Sequence, residues 1–263
     1  MLIICNGMPR SGSTLIYNLV RLYLEQTGGT RSMGFFDGAD LTRNGPQFSE
    51  ASTSDEACIL KTHYAFDRDA LPDAGKVLEI YTIRDPRSMG ASMMRIWQFT
   101  EDRVLTMLRI HMVTANAYKA RSDVIFLRYE DLEERRPELF RAVSAFVVRP
   151  YSEEAMLAAV AGVDTIRDQS EQDSMRSVKA FLSRSFLAVN RWLRAGRLLK
   201  RLMPDRAVAE LKNRLLFINK ETMLHPGHVG KLTPQDEVRA VKRAVEVTFE
   251  DWMAENGYRA DVR

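Results

Sequence analysis

Cysteine is scarce in this 263-residue chain: there are two, Cys5 and Cys58, each inside an apolar run. So few thiols exclude a disulfide scaffold and point to buried, reduced side chains in a cytoplasmic protein. Histidine is nearly as rare, at four, and the histidines and cysteines together show no metal-ligand spacing, so no metal is expected. No apolar run approaches the ~20 residues needed to cross a bilayer. Strand-like residues begin at Leu2, which leaves no room for a signal peptide. Ser11 and Ser13 lack the GxSxG setting of a hydrolase nucleophile. Internal repeats and low-complexity tracts are absent too.

Strong charge of one sign is also missing, since the net charge is only +3, and no nucleic-acid partner is expected. That charge is unevenly spread. Between Arg184 and Lys220 stand ten basic residues and two acidic ones, a local +8 that leaves the rest of the chain at −5. Within it, Phe186, Val189, Leu193, Leu198, Leu199 and Leu202 alternate with Arg191, Arg194, Arg197, Lys200 and Arg201 at helical spacing. Such a helix covers a sheet with its arginines solvated, or makes peripheral contact with an anionic surface.

What is present is a regular alternation. Apolar runs rich in β-branched residues occupy Leu2–Cys5, Ala57–Lys61, Val77–Ile83 and Val124–Leu127. Helical periodicity occupies Thr14–Glu25, Pro86–Trp97, Glu101–Ala120 and Pro137–Val147. Continuous apolar strands separated by helices predict an α/β fold with a central parallel sheet covered on both faces. Beyond Pro150 only helical patterns remain, over Ser152–Ala161, Ser174–Met203, Asp205–Leu224 and Pro234–Asn256. The expectation is one domain over 1–263, with an α/β core at 1–150 and a helical C-terminal part at 151–263. Thr27–Asp55, with its glycines and no sustained period, reads as a long functional loop or lid.

The first strand runs into Gly7-Met8-Pro9-Arg10-Ser11-Gly12-Ser13-Thr14 and then a helix. Strand, glycine-bearing turn and helix N-terminus aim backbone N–H groups at one point and make an anion site. A Walker loop, GxxxxGK[ST], carries a Lys that reaches the outer phosphates of a nucleotide. Here Gly7 and Gly12 keep the spacing, but Ser13 replaces the Lys and the cation sits inside the loop as Arg10. This points away from triphosphate hydrolysis and toward another phosphate-bearing substrate. Two further strand ends carry chemistry: Lys61-Thr62-His63, and Arg84-Asp85-Pro86-Arg87, which opens a helix containing Ser92. Ligands of open parallel sheets bind at the carboxyl ends of strands, where these three segments converge.

The ordered set resembles the sulfotransferases that use 3′-phosphoadenosine-5′-phosphosulfate. The loop 7–14 looks like their 5′-phosphosulfate loop. Arg84 and Ser92, eight positions apart, look like their 3′-phosphate motif. Lys61-Thr62-His63 is similar to the KTH of the cytosolic branch, and Tyr129-Glu130-Asp131 to a downstream YED element. Gly227-His228-Val229-Gly230-Lys231 is similar to a late phosphate loop, although His225-Pro226-Gly227 stands where Arg-Lys-Gly is usual. The likeness covers about 2–132, with a weaker echo at 225–233. It features both cytosolic and tyrosylprotein or carbohydrate branches, since Arg10 matches the latter.

The resemblance implies a P-loop NTPase-like three-layer fold and in-line transfer of a sulfuryl group to an acceptor hydroxyl, or less readily an amine, of a small molecule, glycan or lipid. It implies 3′-phosphoadenosine-5′-phosphosulfate as co-substrate and no metal. His63 would be the base, with Arg10 and Lys61 as electrophilic support. The nucleotide would be held by Arg10, Ser11, Gly12, Ser13 and Thr14 at its 5′ end and by Arg84 and Ser92 at its 3′-phosphate. Tyr129 would meet the adenine, and His225 and Gly227 would close the late loop. Related enzymes with an Arg loop use a carboxylate base after the first helix, which makes Asp37, Asp40 and Glu50 rivals of His63. A P-loop small-molecule kinase and a non-catalytic nucleotide-binding module are the alternatives.

Overall fold

The computed structural model describes residues 1–72, 74–134, 136–147, 151–175 and 235–258. It divides into two compact units, Met1–Val163 with Gly230–Arg263, and Asp164–Val229. The candidate site lies in the first. The described part of the second is the helical stretch 164–175.

Five strands form one sheet: β1 Leu2–Gly7, β2 Arg31–Phe36, β3 Cys58–Thr62, β4 Val77–Ile83 and β5 Val124–Arg128. Their order is β2-β3-β1-β4-β5 and every neighbouring pair is parallel. The helices of the α/β part are α1 Ser13–Thr27, α2 Gly38–Arg43, α3 Gly45–Thr53, α4 Pro86–Trp97, α5 Glu101–Lys119, α6 Tyr129–Glu134 and α7 Arg136–Val147. They are followed by α8 Glu153–Met175, α9 Gln235–Thr248 and α10 Glu250–Glu255.

Both faces of the sheet are covered, which is why its strands read as unbroken apolar runs rather than alternating ones. All six residues of β1 are buried. Leu2 and Ile4 pack with Phe48 and Ala51 of α3 and with Leu60 of β3. Tyr81 and Ile83 of β4 pack with Met89 and Met93 of α4, Leu108 and Met112 of α5, Val241 and Val245 of α9, and Trp252 of α10. Gly90 is the point where α4, α5 and α9 meet: a Cβ there would lie 3.1 Å from Val104 and 3.2 Å from Val241.

This is the α/β architecture expected, with boundaries within a few residues for β1, β3, β4, β5, α1, α4, α5 and α7. Pro86 at the first helical position and Asp85 as cap, accepting the Arg87 N–H at 2.8 Å, explain why α4 starts where it does. Three expectations are corrected. Thr27–Asp55 is not an irregular loop but β2, α2 and α3. Its elements are six, six and nine residues long, too short to show a period, and β2 is an edge strand with a register shift between Ser32 and Gly34. The helix starting near Ser152 runs on to Met175 instead of ending at Ala161. The pattern 234–256 divides at Phe249 into α9 and α10. The helical segments expected over Ser174–Met203 and Asp205–Leu224 lie, apart from Ser174 and Met175, outside the described residues, as does the basic stretch 184–220.

Candidate active site

The chain leaves β1 toward β2 on one side, and later returns on the other side as β4 and β5. Between β1 and β4 the connections diverge, which makes the carboxyl ends of these strands the switch point where open parallel sheets carry their ligand crevice. The loop after β1 lines it. Met8 N–H donates to Thr82 O at 3.0 Å, tying the loop to β4. Gly7 stands so close to β4 that a Cβ would collide with the Thr82 side chain. Gly12 has φ 89° and a Cβ there would lie 2.5 Å from the Tyr129 ring, so only glycine fits. Arg10, with φ 68°, adopts the left-handed region without being glycine, a strained backbone of the kind found at ligand sites.

Gly12 is the N-terminal boundary of α1 and supplies no side-chain cap. The first N–H groups of that helix therefore have no acceptor within it, and Ser13 and Thr14 present theirs at the mouth of the crevice. Ser11 is engaged differently from the expectation. Its N–H donates to Met8 O at 3.2 Å, and its hydroxyl donates to the same oxygen at 2.5 Å and pairs with Thr82 Oγ1 at 2.7 Å. Ser11 is a tie inside the loop, holding Met8 and Thr82 together.

Arg10 Nε donates to Ser92 Oγ at 2.9 Å, so the two residues expected at opposite ends of a nucleotide meet. Arg84, leaving β4, donates to Arg10 O at 3.4 Å and lays its guanidinium over the Tyr129 ring at 4.1 Å. Burial, and then the nearby charge of Arg84, pull the Arg10 guanidinium down to about 10. Tyr129 opens α6 beside Gly12 and Arg84.

Lys61 and His63 stand at the end of β3. Lys61 is 5% exposed, and burial is the main reason its amine falls to about 7; the charge of Arg10 adds to it. Its ammonium donates to His63 Nε2 at 3.0 Å, while His63 Nδ1–H donates to Gly7 O at 2.8 Å. The carbonyl can only accept, so His63 is the Nδ1–H tautomer with its lone pair turned to Lys61. Burial, followed by the charge of Lys61, holds His63 well below its ordinary value, and the ring is neutral across the physiological range.

The rival carboxylates separate clearly. Asp37 follows β2 directly, at the same sheet edge as Thr62, but its carboxylate caps α2 by accepting Asp40 N–H at 2.8 Å. Asp40 lies in the first turn of that helix. Glu50 pairs with Arg31, the first residue of β2, at 3.3 Å. Five steps of ~3.3 Å place it about 16 Å from the carboxyl edge, which removes it as a base. Asp85, with Arg87 gripped at 2.8 Å, is a helix cap. Among the described residues no group of three or more His, Cys, Asp or Glu is arranged to hold a metal ion. His225, Gly227, His228 and Lys231 lie outside the described residues.

Several site residues escaped the sequence reading. Phe35, half-exposed at the end of β2, lies 5.6 Å from the His63 ring and 4.8 Å from the Lys61 ammonium. Asn6 donates to Tyr64 O at 2.8 Å and to Tyr118 OH at 3.0 Å, holding the segment after His63. A polar residue closing an apolar strand before Gly7 was the available signal for Asn6. Tyr118 carries none, since it is one more apolar position of an amphipathic helix.

No protein-family model and no curated protein sequence matches the chain. Among solved structures it is similar to a retinol dehydratase in complex with androsterone and inactive cofactor PAP, at 17% identity and TM-score 0.44 over 62% of this chain and 64% of that one. It is also similar to a retinol dehydratase in a complex with retinol and PAP, at 19% identity and TM-score 0.41 over 59% and 62%. A third similar structure is mouse sulfotransferase SULT7A1 complexed with PAP, at 14% identity and TM-score 0.40 over 62% and 63%. Each match spans less than two-thirds of the neighbour's length.

Proposed function

We propose that this protein transfers a sulfuryl group from 3′-phosphoadenosine-5′-phosphosulfate to a hydroxyl of a small-molecule acceptor in a reducing compartment. The observation that carries the reading is the gathering of Arg10, Arg84 and Lys61 around the N-terminus of α1, where their mutual repulsion helps depress two of them. Cations held that close together are stabilised by an anion with several charges. The buried thiols of Cys5 and Cys58 support the compartment.

In this reading the Ser13 and Thr14 N–H groups and Arg10 hold the 5′-phosphate, and Arg84 takes the 3′-phosphate beneath the Tyr129 ring. The anion draws Lys61 off His63 Nε2 and keeps it protonated. His63 Nε2 then accepts the acceptor hydroxyl proton as the new O–S bond forms. The S–O bond to the phosphate breaks in line, and Arg10 and Lys61 neutralise the charge that develops on the leaving oxygen. Gly7 O keeps the ring in the required tautomer.

Calorimetry with adenosine 3′,5′-bisphosphate tests this, with ATP plus magnesium as comparison. The bisphosphate should bind tightly, and Arg84→Ala should weaken it by roughly 10-fold or more, the loss of a charge-assisted pair. A preference for magnesium-ATP would overturn the sulfuryl-transfer reading and leave the kinase standing. His63→Ala should keep the bisphosphate affinity and lower transfer by about 100-fold or more. Transfer at the full rate in that variant would move the base to Asp37, and absence of transfer in the unaltered chain would leave a binding module.

A further inference from the structure

The two halves of the 3′-phosphate end come from different strands, and one carboxylate joins them. Arg84 and Asp85 are consecutive after β4, and Tyr129 and Glu130 are consecutive after β5. Arg84 rests on the Tyr129 ring at 4.1 Å, while Glu130 Oε1 accepts the Asp85 N–H at 2.9 Å. Each residue of one pair is therefore bound to its counterpart in the other. The second oxygen, Glu130 Oε2, accepts the hydroxyl of Tyr258 at 3.2 Å.

Tyr258 lies just past α10 and is held on every side. Its N–H donates to Met253 O at 2.8 Å, and its ring stacks on Trp252 at 6.2 Å. Arg128 lays its guanidinium over the Tyr258 ring at 4.6 Å, with Nη2 donating to Gly257 O at 3.4 Å. Trp252 in turn donates to Asn116 Oδ1 at 2.9 Å. Burial, then the neighbouring Glu130 carboxylate, push the Tyr258 phenol up, so it stays a proton donor. A carboxylate with both oxygens engaged by fixed donors has no freedom to rotate.

We propose that Glu130 and Tyr258 are positioning residues for the 3′-phosphate of the sulfuryl donor, through which the C-terminal segment sets the place of Arg84. The proposal rests on the reading of the site given above. Neither side chain touches the nucleotide. Glu130 clamps the peptide after Arg84 to the residue after Tyr129, and Tyr258 fixes the clamp.

The experiment compares affinities for adenosine 3′,5′-bisphosphate and adenosine 5′-phosphate in the full chain. The unaltered protein should favour the bisphosphate. Tyr258→Phe and Glu130→Gln should each shrink that preference about 5- to 10-fold, roughly the worth of one hydrogen bond. Affinity for adenosine 5′-phosphate should not change, and in transfer assays KM for the sulfuryl donor should rise while kcat holds. A role confined to stability would lower the melting temperature and leave the ratio alone. The ratio at its original value in both variants overturns the proposal while the donor reading stands. An unaltered protein blind to the 3′-phosphate overturns both. Should Glu130→Gln fail to fold, Tyr258→Phe, which removes one oxygen atom, decides the question.

Discussion

Lys61 shows how one buried amine can burden a fold. Its folded value of about 7 lies far below the 10.5 of an ordinary lysine. Between those values the unfolded chain binds the extra proton, so stability rises as pH increases from 7. Cys5, raised by burial from its ordinary 9.0, acts in the opposite direction above pH 9, where the unfolded thiol ionises and the folded one does not. The window for Lys61 is therefore pH 7 to 9. Denaturant melts there should show stability climbing by at most ~1.4 kcal/mol per pH unit, and Lys61→Met should flatten the climb. The motif Lys61-Thr62-His63 was legible in the sequence. That the ammonium donates to the imidazole was not, because two side chains on the same side of an extended strand meet only when the surroundings exclude water and other partners.

At the scale of elements, the start of α4 joins fold and site. Asp85 caps the helix and grips Arg87 through both carboxylate oxygens, at 2.8 and 3.1 Å for the shortest pair of contacts. Arg87 also reaches Glu246 of α9 at 3.6 Å. Asp85→Ala should destabilise the protein by about 2–4 kcal/mol, from the lost cap and a buried guanidinium with one carboxylate fewer. Chemical denaturation measures this directly, and adenosine 3′,5′-bisphosphate should recover part of the loss by binding the folded state. Long elements such as α4 and α5 announced themselves through spacing and caps. The short ones did not: β2 pairs along one edge and α2 has six residues, so their existence depends on what they pack against.

Across the whole molecule, a buried polar network ties the sheet to its covering helix behind the site. Glu79 of β4 is fully buried, with Arg121 as its salt-bridge partner. The Tyr118 hydroxyl donates to Glu79 Oε1 at 3.1 Å and accepts from Asn6 Nδ2 at 3.0 Å and Phe66 N–H at 3.2 Å. One phenol thus links β1, β4, α5 and the segment that follows His63. Tyr118→Phe leaves the buried Asn6 and Glu79 side chains and the part-buried Phe66 N–H each short of a partner and should cost about 2–4 kcal/mol, a fall in Tm of roughly 5–15 °C. Scanning calorimetry checks the fall. Such a residue is invisible to spacing, since a tyrosine on an apolar helix face reads as core whether or not its hydroxyl is used.

The amino-acid order by itself determined the parallel sheet, the glycine loop with its relocated cation, and the strand ends that carry Arg10, Lys61, His63 and Arg84. Each of these is a local pattern, written by period, by glycine spacing and by the type of residue that closes a strand. Tertiary structure alone decided which residues face one another. It turned Ser11 inward, brought Ser92 to Arg10, set Glu50 at the far edge from the site, and led Tyr258 to Glu130. Those pairings join positions separated by up to 128 residues, and only the packing of elements distant in sequence brings them together.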